Sequence, residues 1–314
     1  MAQDYTIGIL YYVNSDAIGN FLLKKAVLAR GHKVRLYSAH DFQYTFERNA
    51  LNLLYRNRRF NPPDIMIVRP DVLADIDLNM SIVKQLQLIG VPVINNSLPI
   101  ARAKNKIRTL QILAHAGIPV PKTVVVGDVR HLDEAVNQLE RFPLIVKLAC
   151  GTMGNGVSIL ESRRSLRSFF DFVVASTENS NPYILIQEYI KEAKGKDIRV
   201  FVVGGKIIAA MERKARRGEF RANFSLGGSV ALADLTREER AISIQSAELL
   251  GLDVAGVDII RTAVGPKILE VNSSPGLKGI TQATGVDVAG HIIRLAEQRI
   301  KAPRNGKKMM VMSG

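Results

Sequence analysis

The stretch AGVDIIRTAVGPKILEVNSSPG, residues 255–276, decides the fold of the second half of the chain. Two short β-rich runs, residues 256–260 and 267–271, flank a segment that contains a Gly-Pro pair. Such runs on either side of turn residues predict a β-hairpin. The Ser-Ser-Pro-Gly turn that follows ends the second strand and fixes the direction of the residue before it.

A hairpin that folds symmetrically about Val264 brings two carboxylates together. Asp258 then lies opposite Glu270, and Asn272 lies on the same face opposite Gly256. Like charges in directly opposed positions destabilise a strand pair. Carboxylate and carboxamide oxygens are the ligands that Mg²⁺ prefers, and the ion usually also binds substrate phosphates. The spacing therefore predicts a magnesium site, with a solvated hairpin face as the alternative.

Length and composition indicate a globular protein of two or three domains. The 314 residues are 47% hydrophobic and 23% charged, both ordinary values. No apolar run reaches the length of a membrane span, and the first residues show no basic segment that leads into an apolar one. The single cysteine, Cys150, excludes an internal disulfide framework. We therefore expect a cytoplasmic protein without a membrane span.

The charge of the chain is strongly positive. A net charge of +14 favours acidic partners such as nucleotides, a polyanionic substrate or a ribosome-like surface. Tryptophan is absent and aromatic residues make up only 6% of the chain. No helix-turn-helix, zinc-finger or aromatic RNA-binding signature is found. The charge by itself therefore does not indicate a nucleic-acid-binding protein.

Strand and helix signals alternate over the first 96 residues, which predicts a parallel α/β domain. No G-x-G-x-x-G follows the first strand, so a dinucleotide fingerprint is missing. Arg69 follows a strand, and a surface ion pair is favoured over an anion site. The predicted strands are 7–12, 33–37, 64–68 and 92–94, and the predicted helices are 18–30 and 82–88.

One helix is predicted over residues 99–116, with cationic residues on its first two turns. Cations near a helix start oppose the helix dipole. Some of these residues are therefore candidates for ligand binding, and a solvated basic face is the commoner alternative.

A lysine precedes a glycine-rich loop in the middle of the chain. Lys147 is the one ionisable residue of a predicted buried strand at 143–148, and the loop that follows contains Gly151, Gly154 and Gly156. Glycines let backbone N–H groups approach phosphate oxygens closely. The loop lacks the G-K-[ST] of a Walker A motif.

The remaining segments are two strands, a basic run, two helices and a tail. Residues 183–189 and 197–203 read as strands, and a basic run at 206–221 reads as a solvated face or a phosphate contact. Thr236 and Glu239 form a capping box at the start of a helix that ends at residue 250. A closing helix is predicted over 288–300, and the polar, basic tail that follows is expected to be disordered.

Together these motifs resemble the RimK-type α-L-glutamate ligases of the ATP-grasp superfamily, which add glutamates to the C-terminus of ribosomal protein S6. The resemblance covers most of the chain from about residue 95 onward. The matching stretches are ARAKNKIRT (101–109), PLIVKLACGTMGNGV (143–157), IQEYIKEAKGKDIRVFVVGGKIIAAMERKA (186–215), GEFRANFSLGGSV (218–230) and DVAGVDIIRTAVGPKILEVNSSPGL (253–277).

The resemblance implies an α/β fold, with an N-terminal parallel α/β pre-ATP-grasp domain followed by a two-subdomain, α+β ATP-grasp part. The implied divisions are the N-terminal domain at 1–96, a linker helix at 97–122, a central lid subdomain at 123–190, a C-terminal subdomain with the metal site at 191–301, and a basic tail at 302–314.

The resemblance also implies roles for individual residues. The implied catalytic residues are Arg199, Arg221 and Lys147, and the implied metal ligands are Asp258, Glu270 and Asn272. The implied ATP-binding residues are Lys106, Lys147, Gly151, Gly154, Gly156, Glu188, Tyr189, Asp197, Arg221, Ala222 and Asn223. Ala222 stands where a serine is expected and Lys278 where an acid is expected, and Met153 and Asn155 also depart from the pattern.

The implied reaction is amide formation through an acylphosphate, with ATP and two Mg²⁺ or Mn²⁺ ions per site. The implied donor amine is L-glutamate, and the implied acceptor is a protein or peptide C-terminus such as that of ribosomal protein S6. Contact with nucleic acid is implied only indirectly, through the ribosome. The implied assembly is a homo-oligomer, either a dimer or a tetramer. One alternative keeps this chemistry with a small-molecule or carrier-protein acceptor, or makes free poly-glutamate. Another is a ribosome- or RNA-binding module without catalysis, suggested by the charge.

Overall fold

The computed structural model describes residues 4–12, 16–48, 50–70, 76–149, 156–176, 183–193, 195–216, 219, 222 and 227–302. The strands are β1 (Thr6–Tyr11), β2 (Lys33–Ser38), β3 (Phe42–Glu47), β4 (Ala50–Tyr55), β5 (Arg58–Arg59), β6 (Ile65–Arg69), β7 (Val93–Ile94), β8 (Thr123–Val126), β9 (Leu144–Leu148), β10 (Val157–Leu160), β11 (Ile184–Glu188), β12 (Lys196–Val203), β13 (Lys206–Lys214), β14 (Ser229–Leu232), β15 (Val254–Thr262) and β16 (Gly265–Asn272). The helices are α1 (Ala17–Ala29), α2 (Ile76–Leu88), α3 (Ser97–Lys104), α4 (Lys106–His115), α5 (Leu132–Leu139), α6 (Arg163–Ser176), α7 (Arg237–Leu250), α8 (Leu277–Thr284) and α9 (Val288–Lys301).

The N-terminal sheet is parallel, as the alternating signals predicted. Its strand order is β2-β1-β6-β7, and each neighbouring pair runs in parallel. All five residues of β6 are buried, because both faces of such a sheet are covered. No helix in the described part of the chain is long and apolar enough to cross a membrane.

An antiparallel meander, β3-β4-β5, was missed by the sequence-based prediction. Its second turn is formed by Arg56 and Asn57, whose φ angles of 51° and 62° are left-handed. A two-residue hairpin loop with both φ angles positive usually carries Asn-Gly or Asp-Gly, so the pair Arg-Asn gave no turn signal. The meander is held by aromatic contacts, with the ring of Phe42 lying 4.9 Å from Tyr55 and 5.1 Å from Phe60.

The single helix predicted over residues 99–116 is wrong, because the chain forms two helices there. The break falls at Asn105, whose backbone is extended at φ −96° and ψ 105°. The Asn105 side chain accepts a hydrogen bond from the backbone N–H of Arg108 at 3.1 Å and so caps α4. Lys106 therefore occupies the first position of a new helix.

Two antiparallel sheets form the rest of the molecule. The four-stranded sheet has the order β10-β9-β11-β8, and α5 and α6 pack on one of its faces in a core of their own. The five-stranded sheet has the order β14-β13-β12-β15-β16. Helix α7 covers one face of it and begins with the predicted capping box of Thr236 and Glu239. The opposite face carries the polar residues described below.

The N-terminal sheet and the C-terminal helices share one hydrophobic core. Ile7 and Ile9 of β1 are buried in the same cluster as Phe201 of β12 and Ile292 and Ile293 of α9. The four-stranded sheet is packed separately from this cluster.

Arg69 is not the surface ion pair favoured from the sequence. Its side chain is only 4% exposed and lies between the N-terminal sheet and the Ser-Ser-Pro-Gly turn. One guanidinium nitrogen donates to the carbonyl of Pro275 at 3.1 Å, and another donates to Asp16 at 3.3 Å. The prediction failed because the partner carbonyl lies 206 residues away in the chain.

Candidate active site

The hairpin β15–β16 forms the two predicted pairs, although its turn is not symmetric about Val264. Asp258 pairs with Glu270, and Gly256 pairs with Asn272. Nearer the turn the register shifts by one residue, since Ile259 pairs with Ile268. Without this bulge Asp258 would face the residue before Glu270, so the bulge is what brings the two carboxylates opposite each other.

Gly256 has a role that the sequence did not suggest. A Cβ atom at this position would lie 2.6 Å from Cβ of Pro275, which is far too close. The missing side chain therefore makes room for the turn that follows Asn272, rather than simply leaving open space beside it.

Charged residues from neighbouring strands share the open face of the five-stranded sheet. Arg199 on β12 pairs directly with Asp258, and Asp197, two residues earlier, pairs with Arg213 on β13. Paired residues and residues two apart in a strand lie on the same face. The face thus carries two Arg–Asp pairs, and Glu270 lies next to Asp258 on the following strand.

Asp258 is the centre of this row and is only 3% exposed. Arg199 donates to both of its oxygens, from Nε at 2.7 Å and from Nη2 at 2.6 Å. Arg213 donates to the second oxygen at 2.8 Å. Burial alone would raise the pKa of Asp258, but the two guanidinium groups outweigh it and lower the pKa below its usual value. The carboxylate therefore stays ionised, and its ion pair with Arg199 lies largely buried in the site.

Arg213 was missed by the sequence analysis because it belongs to the basic run, for which a solvated face was one of the two interpretations. That interpretation is wrong for this residue, which is 3% exposed. It shares a face of β13 with Met211 and Ala209, which are also buried, and this spacing of two residues was the available signal.

Lys147 on β9 faces the same region from the four-stranded sheet. Its Nζ donates to Oε1 of Gln187 at 2.8 Å, and the Gln187 amide donates in turn to Oγ1 of Thr123 at 2.8 Å. Burial lowers the pKa of Lys147 to about 8, although Glu270 acts in the opposite direction. Gln187, itself 2% exposed, was missed as a functional residue, and its position beside Lys147 in the sheet could not be read without the strand pairing.

A small cavity of about 10 Å³ joins the two sheets. Lys106 and Lys147 line it together with Glu270 and the bulge residue Leu269. The backbone N–H of Lys106 donates to the carbonyl of Ala149 at 3.4 Å, next to the start of the glycine loop. The two predicted phosphate lysines and one predicted metal ligand are therefore neighbours.

Glu188 and Tyr189, which the family resemblance assigns to the adenine-hinge position of the ATP site, lie at the end of β11 beside a cavity of about 410 Å³. The Glu188 carboxylate forms an ion pair with Lys267 and accepts from the backbone N–H of Lys122 at 2.9 Å. Burial would raise the pKa of Glu188, but these partners lower it. Lys267 links the hinge to the metal hairpin and was not singled out from the sequence.

Part of the predicted site lies outside the described residues, namely Gly151, Met153, Gly154, Asn155, Arg221 and Asn223. Gly156 is described and has a left-handed φ of 74°. Ala222 is buried, and Lys278 is exposed on the first turn of α8.

The donor atoms on the open face fit a hard divalent cation. Asp258 and Glu270 offer carboxylate oxygens, and the amide nitrogen of Asn272 lies 3.5 Å from Asp258. Among the described residues no group of three or more His, Cys, Asp or Glu side chains is placed to hold a metal ion. Oxygen-only donors favour Mg²⁺ over a softer metal.

The fold and this site define an ATP-grasp ligase. The ATP-grasp ligase PsnB complexed with minimal precursor has the same fold, with a TM-score of 0.72 at 19% identity over 94% of this chain and 100% of that chain. The RimK-like ATP-grasp domain model matches residues 103–296, and the RimK PreATP-grasp domain model matches residues 6–100. The chain belongs to the RimK-like ATP-grasp family.

Two relatives match along nearly their whole length. A probable alpha-L-glutamate ligase of Vibrio vulnificus is 38% identical over 94% of this chain and 96% of its own length. A ribosomal protein bS6–L-glutamate ligase of Escherichia coli is 39% identical over 88% of this chain and 90% of its own length. The chain is thus an enzyme that forms amide bonds with ATP, and the alternative of a binding module without catalysis is wrong.

Proposed function

We propose that this enzyme joins L-glutamate to the C-terminus of a protein acceptor, most directly ribosomal protein S6. The two relatives described above are named for glutamate ligation, and one of them for this acceptor. The acceptor carboxylate is first phosphorylated by ATP, and the amine of glutamate then displaces phosphate from the acylphosphate.

The observation that carries the proposal is the pairing of two lysines with a carboxylate face. Lys106 and Lys147 line the same cavity as Glu270, and Glu270 lies opposite Asp258. Triphosphate oxygens need cations on one side and a metal-binding face on the other. Lys106 lies at the start of α4 and Lys147 on the four-stranded sheet, whereas the carboxylates lie on the five-stranded sheet. A nucleotide bound between the two sheets therefore meets the lysines on one side and the metal-binding face on the other.

Individual roles follow from this arrangement. Lys106 and Lys147 neutralise phosphate oxygens, and Arg199 neutralises the reacting carboxylate and its acylphosphate. Asp258, Glu270 and Asn272 hold the metal. When bound, Mg²⁺ or Mn²⁺, two ions per site, neutralises charge on the transferred phosphoryl group.

The nucleotide contacts are proposed over a wider set of residues. We propose that Glu188 and Tyr189 contact the adenine ring, and that backbone N–H groups of the glycine loop bind the phosphates. The remaining proposed contacts are Gly151, Gly154, Gly156, Asp197, Arg221, Ala222 and Asn223. The division into the N-terminal domain, linker, lid and C-terminal subdomain is retained with the boundaries given above.

We also propose that the enzyme acts in the cytoplasm. A single cysteine and the ribosomal acceptor support action in the cytoplasm. Assembly as a homo-oligomer, a dimer or tetramer, is proposed from the family resemblance.

The test is phosphate release with ATP, Mg²⁺ and each common amino acid in turn, with and without purified ribosomal protein S6. Intact-mass analysis of the acceptor follows each reaction. Mass steps of one glutamate residue on the acceptor are expected. Glutamate-dependent turnover that leaves the acceptor unchanged would contradict the protein acceptor and favour a small molecule.

Substitutions test the site separately. Asp258→Ala and Glu270→Ala are expected to abolish both phosphate release and the mass steps. Asp171→Ala, which changes an exposed carboxylate on α6, serves as the matched control and should leave both intact. Full activity in Asp258→Ala would overturn the proposed metal site.

A further inference from the structure

Lys267 joins the two sheets that enclose the proposed nucleotide site. It lies on β16, three residues before Glu270, and its Nζ forms an ion pair with Glu188 at the end of β11. The four-stranded sheet has a hydrophobic core of its own, so its position against the five-stranded sheet depends on contacts such as this one. The side chains of Lys267 and Glu188 are 21% and 30% exposed, which places the pair between a surface and a buried ion pair.

Both chain crossings into the four-stranded sheet meet at Glu188. The chain enters this sheet at β8, directly after Lys122, and leaves it at Glu188, the last residue of β11. Oε1 of Glu188 accepts from the backbone N–H of Lys122 at 2.9 Å, and the backbone N–H of Glu188 donates to the carbonyl of Lys122 at 3.0 Å. Lys267 donates to the same oxygen, Oε1. The carboxylate therefore ties the entry and the exit of the sheet to the metal hairpin.

The residue after Lys267 makes a second connection at the same place. The backbone N–H of Ile268 donates to the carbonyl of Pro119, in the segment that leads to β8, at 2.8 Å. The side chain of Ile268 is fully buried in the core that α7 covers, so β16 is firmly held at this point. Glu270 follows two residues later on the same strand. One strand thus holds the crossings and carries a proposed metal ligand.

We propose that Lys267 is a positioning residue that fixes the adenine hinge, Glu188 and Tyr189, against the strand that carries Glu270. The inference rests on the proposed function, because it needs ATP to bind between the sheets with its adenine at the hinge. The adenine and the triphosphate belong to one ligand. They contribute jointly to its affinity only if their two subsites are held at the right separation.

The experiment compares the binding of ATP and of tripolyphosphate, which has no adenine, by isothermal calorimetry in Mg²⁺. Lys267→Met removes the ammonium group and keeps an unbranched side chain. This variant is expected to bind ATP about fivefold more weakly than the wild type and tripolyphosphate equally well. Lys267→Arg should restore most of the ATP affinity, because a guanidinium group also pairs with a carboxylate.

A double-mutant cycle with Glu188→Gln tests whether Lys267 acts through the hinge. In the Glu188→Gln background, Lys267→Met should cause no further loss of ATP affinity. Additive losses would show that Lys267 contacts the nucleotide itself, and equal weakening of ATP and tripolyphosphate would show a general effect on the site. Either result, or wild-type ATP binding by Lys267→Met, would overturn the inference.

Arg261→Met is the matched control for loss of an ion pair on the same hairpin. Arg261 lies on β15 and pairs with Glu239 on α7, within the C-terminal part of the chain. Its replacement should leave the affinities for ATP and tripolyphosphate unchanged. Circular dichroism and the thermal midpoint show whether each variant is folded.

Failure of the proposed function would look different. A wild type that binds tripolyphosphate as tightly as ATP would show that Glu188 and Tyr189 do not bind adenine, and a wild type that binds neither would show that the nucleotide site is wrong. If the wild type prefers ATP and Lys267→Met keeps this preference in full, the proposed function stands and only the positioning role of Lys267 is wrong.

Discussion

At the scale of single residues, the environment of Lys147 decides how it behaves. The ammonium group lies between the sheets, where burial disfavours its charged form and lowers its pKa to about 8. The hydrogen bond to Gln187 fixes its position, while the charge of Lys106 lowers the pKa further. A lysine in this setting is charged at neutral pH but loses its proton in mild alkali.

ATP affinity should therefore depend on pH through Lys147. Because Lys147 has a pKa of about 8 instead of the usual 10.5, its side chain is a neutral amine in much of the free enzyme above pH 8. We expect the affinity for ATP to fall as the pH rises from 7 to 9.5. In Lys147→Arg this fall should disappear, since a guanidinium group keeps its proton over this range. Isothermal calorimetry at a series of pH values measures both.

The control for this prediction is Lys84→Arg, which changes an exposed lysine on α2. Its pH dependence should follow that of the wild type. A wild-type affinity that stays constant up to pH 9.5 would contradict the lowered pKa.

At the scale of secondary-structure elements, two interruptions build the site. The bulge in β16 brings Glu270 opposite Asp258, and the break at Asn105 places Lys106 at the start of α4. In both cases an irregularity in a regular element directs a charged side chain. If residues 99–116 formed one continuous helix, Lys106 would have a different orientation relative to Ala149, whose carbonyl accepts a hydrogen bond from the Lys106 backbone N–H.

Loss of the cap at Asn105 should therefore affect both stability and function. Asn105→Ala removes the acceptor for the N–H of Arg108, which is expected to cost about 1 kcal/mol in the free energy of unfolding. We also expect several-fold weaker ATP binding, since the start of α4 loses its fixed conformation. Urea unfolding and calorimetry measure the two effects.

Asn105→Ser is the matched variant, because serine also caps helices well. It should retain most of the stability and the ATP affinity. If Asn105→Ala bound ATP as tightly as the wild type, the helix break would have no role in placing Lys106.

At the scale of the whole molecule, the N-terminal and C-terminal parts behave as one packed unit. Asn95, after β7, donates to the carbonyls of Val254 and Ser273 at 2.7 and 2.9 Å and accepts from the backbone N–H groups of Asp253 and Val254. These bonds hold both ends of the metal hairpin. A second contact joins α9 to the N-terminal sheet at Glu297, which binds Arg30 at 2.6 Å and His32 at 2.8 Å.

Stability in acid should reflect the contact at Glu297. The hydrogen bonds from Arg30 and, to a lesser degree, from His32 outweigh burial and lower the pKa of Glu297 from 4.5 to about 2. A carboxylate whose pKa is lowered on folding stabilises the protein above its unfolded pKa and loses this effect as the pH falls toward its folded pKa. The wild type should exceed Glu297→Gln in stability by a constant amount above pH 5, and this difference should shrink steadily as the pH falls to 3.

Urea unfolding of both proteins between pH 3 and 7 measures this difference. Glu134→Gln, at an exposed position on α5, should show no such dependence on pH. A difference between wild type and Glu297→Gln that is the same at pH 3 and pH 7 would show that the pKa of Glu297 is not lowered.

Much of this organisation is encoded in local sequence. The parallel sheet of the first domain was predicted from the alternation of strands and helices. The capping box at Thr236 and the pairing of Asp258 with Glu270 were predicted because each depends on residues close together in the chain. The meander was missed because its turn residues, Arg56 and Asn57, are unusual for a left-handed turn.

The tertiary structure alone decided the contacts that cross between elements. The bond from Arg213 to Asp258 spans 45 residues, and the bond from Lys147 to Gln187 spans 40. Such contacts depend on strand order and register, which no local pattern specifies. The sequence by itself therefore determined which residues could bind metal and phosphate. The packing of the sheets decided which other residues hold them in place, because a buried charge needs a partner and only the fold brings that partner near.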